Sequence, residues 1–476
     1  MKGLKKLLMG LLVSIMVLGM GLTAFAAGNG TITIDNARNG QVYNAYRVFN
    51  FAAADQNDMD NGGVYTLSTK FEDILKDADF AAKNYFTVGD NGILNTAGIT
   101  DENVAQFGKD VLAYAKKNNI AADASKTAVS EKENAANDEV VKVVLTGLEY
   151  GYYVVDSSLG SAIAVDTTSP NAEIREKNSV PSLKKTVTED STNTVDLTGN
   201  NAQIGDTVTF TIVADLKVGG TNYKIVDRMT EGLTFNKIES VKVGNKDYAY
   251  SEFQSTDHGF DMSFAEPAED VSVVVVYTAV VNKDAKIYED KNENEAYLVY
   301  GNDVETVHKK TETKTYPLQI KKVAKGKENG EVLPGAVFNL YRKSNNTKVK
   351  FTVSEDGYTY TVDPAGTVED IVTKEKNNIK INGLDAETYV LVETVAPTGY
   401  NLIEGNVTVG ETKYKHAQEV TISVDDAGTV ATVEDSKGLL LPETGGIGTT
   451  IFYIFGGMLI LAGAAYFLVR RKAQAE

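Results

Sequence analysis

Short stretches in which apolar and polar residues alternate run through most of the chain, separated by turns rich in Gly, Asn and Asp. Examples are DTVTFTIVAD at 206–215, VSVVVVYTAVV at 271–281 and EVTISV at 419–424. A period of two predicts strands with one face toward a core, and many such short strands are typical of β-sandwiches. Helical spacing of apolar residues occurs mainly at 70–86 and 102–118. The sequence therefore predicts a mainly β chain of tandem β-sandwich domains, with a small helical insertion in the first domain.

Two polar stretches divide this run of strands. They are EKNSVPS at 176–182 and KKTETKTYP at 309–317, and a fresh strand follows each of them. Polar stretches between periodic segments are typical of connections between domains. The sequence therefore predicts three domains, at residues 27–178, 179–310 and 311–437.

The beginning of the chain carries an export signal. Met1 to Ala26 has a basic start, then the apolar run LLMGLLVSIMVLGMGL, then Ala24-Phe25-Ala26. This order of features is that of a secretory signal peptide with a cleavage site after small residues. Residues 1–26 are therefore predicted to be removed on export.

A second signal occupies residues 441–476. It starts with the pentapeptide LPETG, continues with an apolar stretch at 451–469 that is just long enough to cross a bilayer, and ends with the basic residues RRK. In this order the three features resemble the cell-wall sorting signal of Gram-positive surface proteins. The resemblance implies that a membrane sortase cleaves between Thr444 and Gly445 and passes the Thr444 acyl group to an amine. The pentapeptide consists of Leu441, Pro442, Glu443, Thr444 and Gly445.

Composition excludes several kinds of site and partner. The chain has no Cys, so it can form neither a disulfide nor a thiolate metal site, and its three His residues lie far apart without ligand spacing. No metal site and no cofactor are predicted. The formal net charge of −18 argues against nucleic acid as a partner. An exported chain of small domains without disulfides must be stabilised in some other way.

Lysines at core-facing positions are candidates for this other means of stabilisation. In SLKKTV, Lys185 shares a strand face with Leu183 and Val187. The same alternation places Asp227 on the apolar face of YKIVDRM and Asn294 on that of NEAYLVY. A buried ammonium needs a partner, and an acid and an amide in the same domain can provide it. A surface strand with extended lysines is the alternative if no partner exists.

The third domain repeats the pattern in the same order. Lys322 shares a strand face with Leu318 and Ile320, and two acids, Glu393 and Asp435, face inward from later strands. Burial lowers the pKa of a lysine and raises that of a carboxyl group, so both tend to become neutral. A neutral amine is a nucleophile, and a protonated carboxyl can polarise a neighbouring carbonyl group. The sequence therefore predicts two internal isopeptide cross-links, formed without a separate enzyme.

At this point the residues resemble the backbone (shaft) pilins of Gram-positive bacteria, which have immunoglobulin-like, collagen-adhesin-type domains. KIVDRMTEGLTF and NENEAYLVYGN are similar to segments of the middle domain of that family. LPGAVFNLY at 333–341 and YVLVETVAPTGY at 389–400 are similar to its terminal B-type domain.

The resemblance implies a Lys185–Asn294 bond with Asp227 as catalytic acid, and a Lys322–Asp435 bond with Glu393 as catalytic acid. The family usually has Asn where this chain has Asp435, so water rather than ammonia would leave there. Asn36 stands where the first domain would need a lysine, so no bond is expected in that domain.

The family also uses a lysine between its first two domains to receive the neighbouring subunit. Here the junction reads AEIREKNSVPS, which keeps Lys177-Asn178 but lacks the Tyr-Pro that usually precedes them. Lys177 is the predicted acceptor, and Lys184 is the competing candidate. An ordinary charged linker lysine remains an alternative.

The function expected from the resemblance is that of a structural, non-enzymatic subunit of a covalent cell-surface pilus. The expected partners are sortase, identical subunits and peptidoglycan, with minor pilins and host surface ligands as further candidates. A monomeric wall-anchored adhesin, with the same domains used as a stalk, is the alternative. An adhesin would carry a ligand-binding module, and the helical insertion is the best place for one.

Overall fold

The computed structural model describes residues 30–54, 62–133, 135–136, 138–160, 162–167, 171–250, 253–288, 290–328, 330–424, 428–438 and 447–472. The predicted signal peptide (1–26) and the LPETG motif (441–445) lie outside these ranges. Three successive pairs of β-sheets follow one another along the described chain. The predicted mainly β fold, with tandem sandwiches and a small helical part near the beginning, is confirmed.

The first region contains two sheets, a short hairpin and two α-helices. One sheet has the strand order β10-β1-β7, the other has the order β3-β2-β8-β9 with β6 also paired to β2, and β4 pairs with β5. Ile32, Tyr43 and Val143 belong to the core between the two larger sheets. The elements are β1 (Gly30–Arg38), β2 (Val42–Ala53), β3 (Gly63–Leu67), α1 (Ala78–Ala81), β4 (Thr87–Val88), β5 (Leu94–Asn95), α2 (Val104–Lys117), β6 (Ala124–Thr127), β7 (Val140–Leu148), β8 (Gly151–Ser157), β9 (Ala162–Asp166) and β10 (Asn171–Arg175).

The helical part packs on the outer face of the larger sheet. Helix α2 buries Phe107 and Val111, four residues apart on one face, and the Phe107 ring lies 6.0 Å from that of Phe49. The helical spacing at 70–86 does not produce one continuous helix. That stretch forms two 3₁₀ turns and the four-residue α1, because the backbone is extended at Asp77, whose side chain caps the next turn.

The middle region is a sandwich of two larger sheets. Their orders are β12-β11-β14-β20-β16-β17 and β13-β23-β21-β15-β19-β18, with β22 paired to β21. Strand β23 crosses position 310, where a domain boundary was predicted, and pairs with the middle sheet. The strands are β11 (Ser182–Glu189), β12 (Thr194–Leu197), β13 (Gly199–Asn201), β14 (Thr207–Leu216), β15 (Tyr223–Met229), β16 (Leu233–Val243), β17 (Lys246–Asp247), β18 (Phe253–Thr256), β19 (Gly259–Phe264), β20 (Val271–Val281), β21 (Asn292–Tyr300), β22 (Val304–Glu305) and β23 (Lys309–Lys314).

The third region is a smaller sandwich with an attached hairpin. Its sheets have the orders β26-β27-β29-β24-β34 and β28-β25-β30-β33, and β31 pairs with β32. The first strand, β24, pairs in parallel with the last, β34. The strands are β24 (Tyr316–Ala324), β25 (Val337–Arg342), β26 (Phe351–Val353), β27 (Thr359–Val362), β28 (Ile371–Val372), β29 (Ile379–Leu384), β30 (Thr388–Val395), β31 (Asn406–Val409), β32 (Thr412–Lys415), β33 (Ala417–Thr421) and β34 (Val430–Asp435).

The predicted membrane span falls within a 26-residue helix, α3 (Ile447–Lys472). Judged by length and apolarity, no helix among the described residues qualifies as a membrane span. The structure therefore does not support the prediction of a span at 451–469.

The middle and third regions are joined by polar contacts as well as by a common apolar core. Arg342 at the end of β25 reaches Asp206 of the middle region, with Nη1 at 2.7 and 2.8 Å from the two carboxylate oxygens. The Nη2 atom of the same side chain donates to Asp385 Oδ2 at 3.2 Å. The Tyr316 hydroxyl donates to Asn201 Oδ1 at 2.6 Å. A single guanidinium nitrogen thus bridges both Asp206 oxygens, and such charge-assisted hydrogen bonds are stronger than neutral ones.

The first and middle regions meet through closely packed backbone. Gly160 has a φ of +82°, and a Cβ atom there would lie 1.5 Å from the carbonyl oxygen of Gly219. The preceding residue, Leu159, is buried in the core of the middle region. Nearby, the Gln41 side-chain amide donates to the Tyr300 hydroxyl at 2.8 Å. Glycine is required at position 160 both for the left-handed conformation and for the close approach.

Gly160→Ala should separate the first region from the middle region. Gly147→Ala is the matched control, because Gly147 has a φ of +73° but a Cβ atom at that position would have no neighbour within 4 Å. Both variants incur the cost of a left-handed alanine, about 1–2 kcal/mol, and only the first adds a clash. We expect Gly160→Ala to lower the melting temperature further and to increase protease cleavage near residues 176–181. Equal effects of the two substitutions would contradict this account.

Candidate functional site

The structure buries two lysines. Among the described residues, Lys185 and Lys322 are the lysines found in the core, with 3% and 0% of their surface exposed. Both side chains have ion-pair partners that are themselves buried. The alternative of a surface strand is therefore wrong for both positions. The described part of the first region buries no lysine, and Asn36 there lies in a left-handed backbone conformation on β1.

In the middle region the three predicted residues come from both sheets. Lys185 lies on β11 of one sheet, whereas Asp227 and Asn294 lie on the neighbouring strands β15 and β21 of the other. In the register of β15 and β21, Asp227 is opposite Ala296, two positions from Asn294, so the two side chains are diagonal neighbours on one face. Lys185 Nζ lies 2.5 Å from Asp227 Oδ2. The structure thus brings the amine and the acid into direct contact across the sandwich.

A residue that the sequence reasoning missed connects the site. The Tyr277 hydroxyl, on β20, donates to Asp227 Oδ2 at 2.5 Å and accepts from Asn294 Nδ2 at 3.0 Å. Lys185 Nζ also donates to it. The signal was present in VSVVVVYTAVV, where Tyr277 follows Val273 and Val275 on the inward face. A buried tyrosine hydroxyl normally needs a hydrogen-bond partner.

Burial controls the charge of these groups. It lowers the pKa of the Lys185 amine and raises that of the Asp227 carboxyl, although attraction between the two opposes both shifts. Both directions favour a neutral amine beside a protonated acid. Asp227 Oδ1 and Asn294 Oδ1 are buried acceptors without a donor among the described residues.

In the third region two of the three residues come from a single sheet. Lys322 on β24 and Asp435 on β34 lie on adjacent parallel strands, with Ala324 directly opposite Asp435. The Lys322 amine contacts an Asp435 carboxylate oxygen. Glu393 reaches the pair from β30 of the facing sheet, and its Oε1 lies 2.9 Å from Lys322 Nζ.

Glu393 is held in place by the main chain. Its Oε2 accepts a hydrogen bond from the backbone N–H of Ile403 at 2.7 Å, which fixes the orientation of the carboxyl group. Burial raises the pKa of Glu393, which favours its protonated form. The amine contacts of Lys322 with the two acids lack hydrogen-bond geometry. The arrangement places a buried amine against one carboxyl group, with a second carboxyl group able to supply a proton.

The predicted acceptor Lys177 lies between β10 and β11, and its side chain is exposed. The buried carboxylate of Glu176 accepts hydrogen bonds from the backbone N–H groups of Lys177 and Asn178, both at 2.9 Å. No ion pair between described residues involves Lys177, whereas the competing Lys184 pairs with Asp196 at 3.1 Å. The other partner of the predicted linkage, Thr444, lies outside the described residues.

Comparison with known proteins agrees with this architecture. Residues 317–436 match the SpaA prealbumin-like fold domain, and residues 434–476 match the LPXTG cell wall anchor motif. The trypsin-resistant surface T6 protein of Streptococcus pyogenes is 24% identical over 62% of this chain and 70% of its own length. The fimbrial subunit type 1 of Actinomyces viscosus is 30% identical over 27% of each chain.

A solved structure shares the overall fold. The T6 backbone pilin of Streptococcus pyogenes, which has a modular three-domain structure, superposes with a TM-score of 0.52 at 14% identity. The alignment covers 86% of this chain and 99% of that one. The anchor motif marks a cell-wall-anchored surface protein of Gram-positive type, and the chain is similar to pilus proteins in its SpaA-type domain and in its overall fold.

Proposed function

We propose that this chain is the shaft subunit of a covalent pilus, in which sortase joins Thr444 of one copy to Lys177 of the next. In the same proposal, Lys185–Asn294 and Lys322–Asp435 isopeptide bonds stabilise each subunit internally. The observation that carries it is the pairing of each buried lysine with a buried carboxyl group in a chain without cysteine. Such pairs are costly to bury, so their presence in both sandwiches calls for a chemical role.

The middle-region reaction would begin with proton transfer from the Lys185 ammonium to Asp227. The resulting neutral amine attacks the side-chain carbonyl carbon of Asn294, while the protonated acid stabilises the developing negative charge on Oδ1. Ammonia leaves and an amide bond remains. The sandwich holds the reacting groups together, so the entropy of bringing them into contact is lost on folding rather than in the reaction.

The third-region reaction would differ in its leaving group. Lys322 would pass one proton to the Asp435 carboxylate and attack its carboxyl carbon as a neutral amine. Glu393 would supply the proton with which the hydroxyl group departs as water and would take one proton back from the lysine nitrogen. The raised pKa of Glu393 supports this role, because the carboxyl group must be protonated to act as an acid. The bond would join the first and last strands of one sheet.

The external linkage would use the exposed Lys177 amine. Its backbone is held by the buried Glu176 carboxylate while its side chain remains accessible. Cell-wall attachment through the LPXTG motif would then fix the base of the filament to peptidoglycan. Lys177 and Thr444 lie far apart in the sequence, so the linkage would be head-to-tail, and repeated joining would build an open filament as long as the chain of subunits does not close on itself.

The first test is the intact mass of the soluble part, residues 27–438. We expect it to be lower than the mass calculated from the sequence by one ammonia and one water. Asp227→Ala should restore the ammonia and Glu393→Ala the water, because each removes the acid of one reaction. Asp261→Ala, on the neighbouring strand β19, should restore neither. A mass equal to that calculated from the sequence would refute both internal bonds.

The second test concerns stability. Each bond would close a loop of roughly a hundred residues, which by analogy with a disulfide stabilises the folded chain by about 4–5 kcal/mol. Glu393→Gln keeps the volume of the side chain but removes the acid, so the third region should melt at a lower temperature and become sensitive to protease. Glu404→Gln, at an exposed position on the connection after β30, is the control and should leave both properties unchanged. Unaltered melting of Glu393→Gln would show that no cross-link supports this region.

The third test concerns assembly on cells. Lys177→Ala should leave a single anchored subunit, with no high-molecular-weight ladder on a boiled SDS gel of cell-wall extract. Lys184→Ala should polymerise normally, since its amine is engaged by Asp196 on the surface of the middle region. A ladder that persists in Lys177→Ala would disprove the assignment of the acceptor. A single band for the unaltered protein would favour the monomeric adhesin instead.

A further inference from the structure

The Tyr277 hydroxyl contacts all three groups of the middle-region site. It donates its one proton to Asp227 and accepts from Asn294 Nδ2 and from Lys185 Nζ, so its single donor and both of its lone pairs are used. We propose that Tyr277 is a catalytic residue of the cross-linking reaction, which relays a proton from Asp227 to the departing amide nitrogen of Asn294. This inference rests on the proposed Lys185–Asn294 bond and assigns a role that the lysine, acid and amide do not fill.

The surrounding core fixes the hydroxyl group in this position. The Tyr277 ring stacks on Phe210, with centroids 5.5 Å apart, and meets Phe260 edge to face at 5.0 Å. Tyr277 is fully buried. Burial and the neighbouring Asp227 carboxylate raise the pKa of Tyr277 well above its ordinary value, so the group remains a hydroxyl and can both accept and donate a proton. These contacts leave the ring little freedom to place the hydroxyl elsewhere.

The amide nitrogen of Asn294 needs a proton before it can leave as ammonia. In the ground state its N–H donates to Tyr277, so the two atoms are already in contact at 3.0 Å. When the Lys185 amine has added to the carbonyl carbon, the former amide nitrogen becomes a basic amine with a lone pair. The contact can then reverse its direction, with the Tyr277 O–H donating to that lone pair.

The complete reaction conserves protons. The Lys185 ammonium gives one proton to the Asp227 carboxylate, and the amine then forms the new C–N bond while the carbonyl electrons move to Oδ1. Tyr277 gives its proton to Nδ2 and takes the Asp227 proton in return. The carbonyl re-forms, the old C–N bond breaks and ammonia leaves with the bonding electron pair. The lysine nitrogen finally returns one proton to Asp227, which ends as the acid.

The third-region site provides an internal contrast. The ring beside its lysine is Phe338, with Lys322 Nζ 5.6 Å from the centroid, and it has no hydroxyl group. There the group that leaves is a carboxyl oxygen, and two carboxyl groups contact the amine directly. Protons can therefore pass between the amine and each acid without a hydroxyl group between them. The tyrosine thus occurs at the site where an amide nitrogen must leave as ammonia. The phenylalanine occurs at the site where a carboxyl oxygen leaves as water.

The test is Tyr277→Phe, which retains the ring and removes the hydroxyl. The soluble part is made by cell-free synthesis, samples are quenched in acid at intervals, and intact mass gives the rate of ammonia loss. We expect the rate to fall by about 10²-fold or more, the usual contribution of a general acid–base group. Loss of water from the third region of the same molecule should be unchanged and reports that this region has folded, while an unchanged melting transition of the middle region reports that the substitution leaves that sandwich intact. Tyr223→Phe is the matched control, because it removes another buried hydroxyl, one bonded to the Lys217 backbone.

Changing the leaving group at position 294 distinguishes a proton-relay role of the Tyr277 hydroxyl from a role in packing alone. With Asn294→Asp, the site acquires a second carboxyl group, as in the third region, and should lose water. If Tyr277 acts as a relay to the amide, adding Tyr277→Phe to this variant should change its rate by less than about 10-fold. Ammonia loss from Tyr277→Phe at the parental rate would overturn the inference, as would equal slowing in both backgrounds. Absence of ammonia loss from the unaltered protein would instead refute the Lys185–Asn294 bond itself, and the relay with it.

Discussion

A buried ammonium group paired with a buried carboxyl group is the interaction on which the middle and third regions depend. Removing either partner would leave a charge in the core, at a cost of about 3–5 kcal/mol, whereas a well-packed apolar pair would be stable without this risk. In this chain the pair recurs in two sandwiches of different topology. In one, lysine and acid reach across the sandwich, and in the other the amine also contacts an acid on the neighbouring strand. A covalent bond removes the cost, since an amide carries no charge.

The alternation of residues in the sequence was enough to predict these pairs. Lys185 and Lys322 stand where an apolar residue is expected, and each has an inward acid on a later strand. The pattern could not show how the strands are arranged. Lys185 and Asp227 face each other from opposite sheets, whereas Lys322 and Asp435 are neighbours in one sheet. Strand order depends on pairings between residues far apart in the chain, and a period of two carries no information about them.

Two features could not be predicted, for different reasons. Residues 70–86 have apolar residues at helical spacing, but Asp77 caps a new turn within them, and this local capping interrupts the helix. The alternation shows that Tyr277 faces inward, but tyrosine is ordinary in strands, and the hydroxyl partners that distinguish it from a packing residue are visible only in the fold. The acceptor lysine illustrates a third case. The sequence identifies the segment that contains Lys177, while the Glu176 contacts that hold its backbone depend on the folded junction.

The positions of the proposed bonds have a mechanical consequence. Force applied at Lys177 would enter the middle region at the start of β11 and reach Lys185 within one strand. A bond from Lys185 to Asn294 would carry it directly to β21, which pairs with β23 and leads on to β24. From Lys322 on β24 a second bond would pass it to Asp435, which precedes the anchor motif. The chain between the members of each bonded pair would bear no load, so neither sandwich would need to resist unfolding by hydrogen bonds alone.

The joint between the two sandwiches would remain non-covalent apart from the main chain. At this joint Arg342 donates hydrogen bonds to carboxylates from both regions. The first region lies outside this path, and its described part buries no lysine, so the proposed bonds would reinforce only the line along which a filament would be pulled.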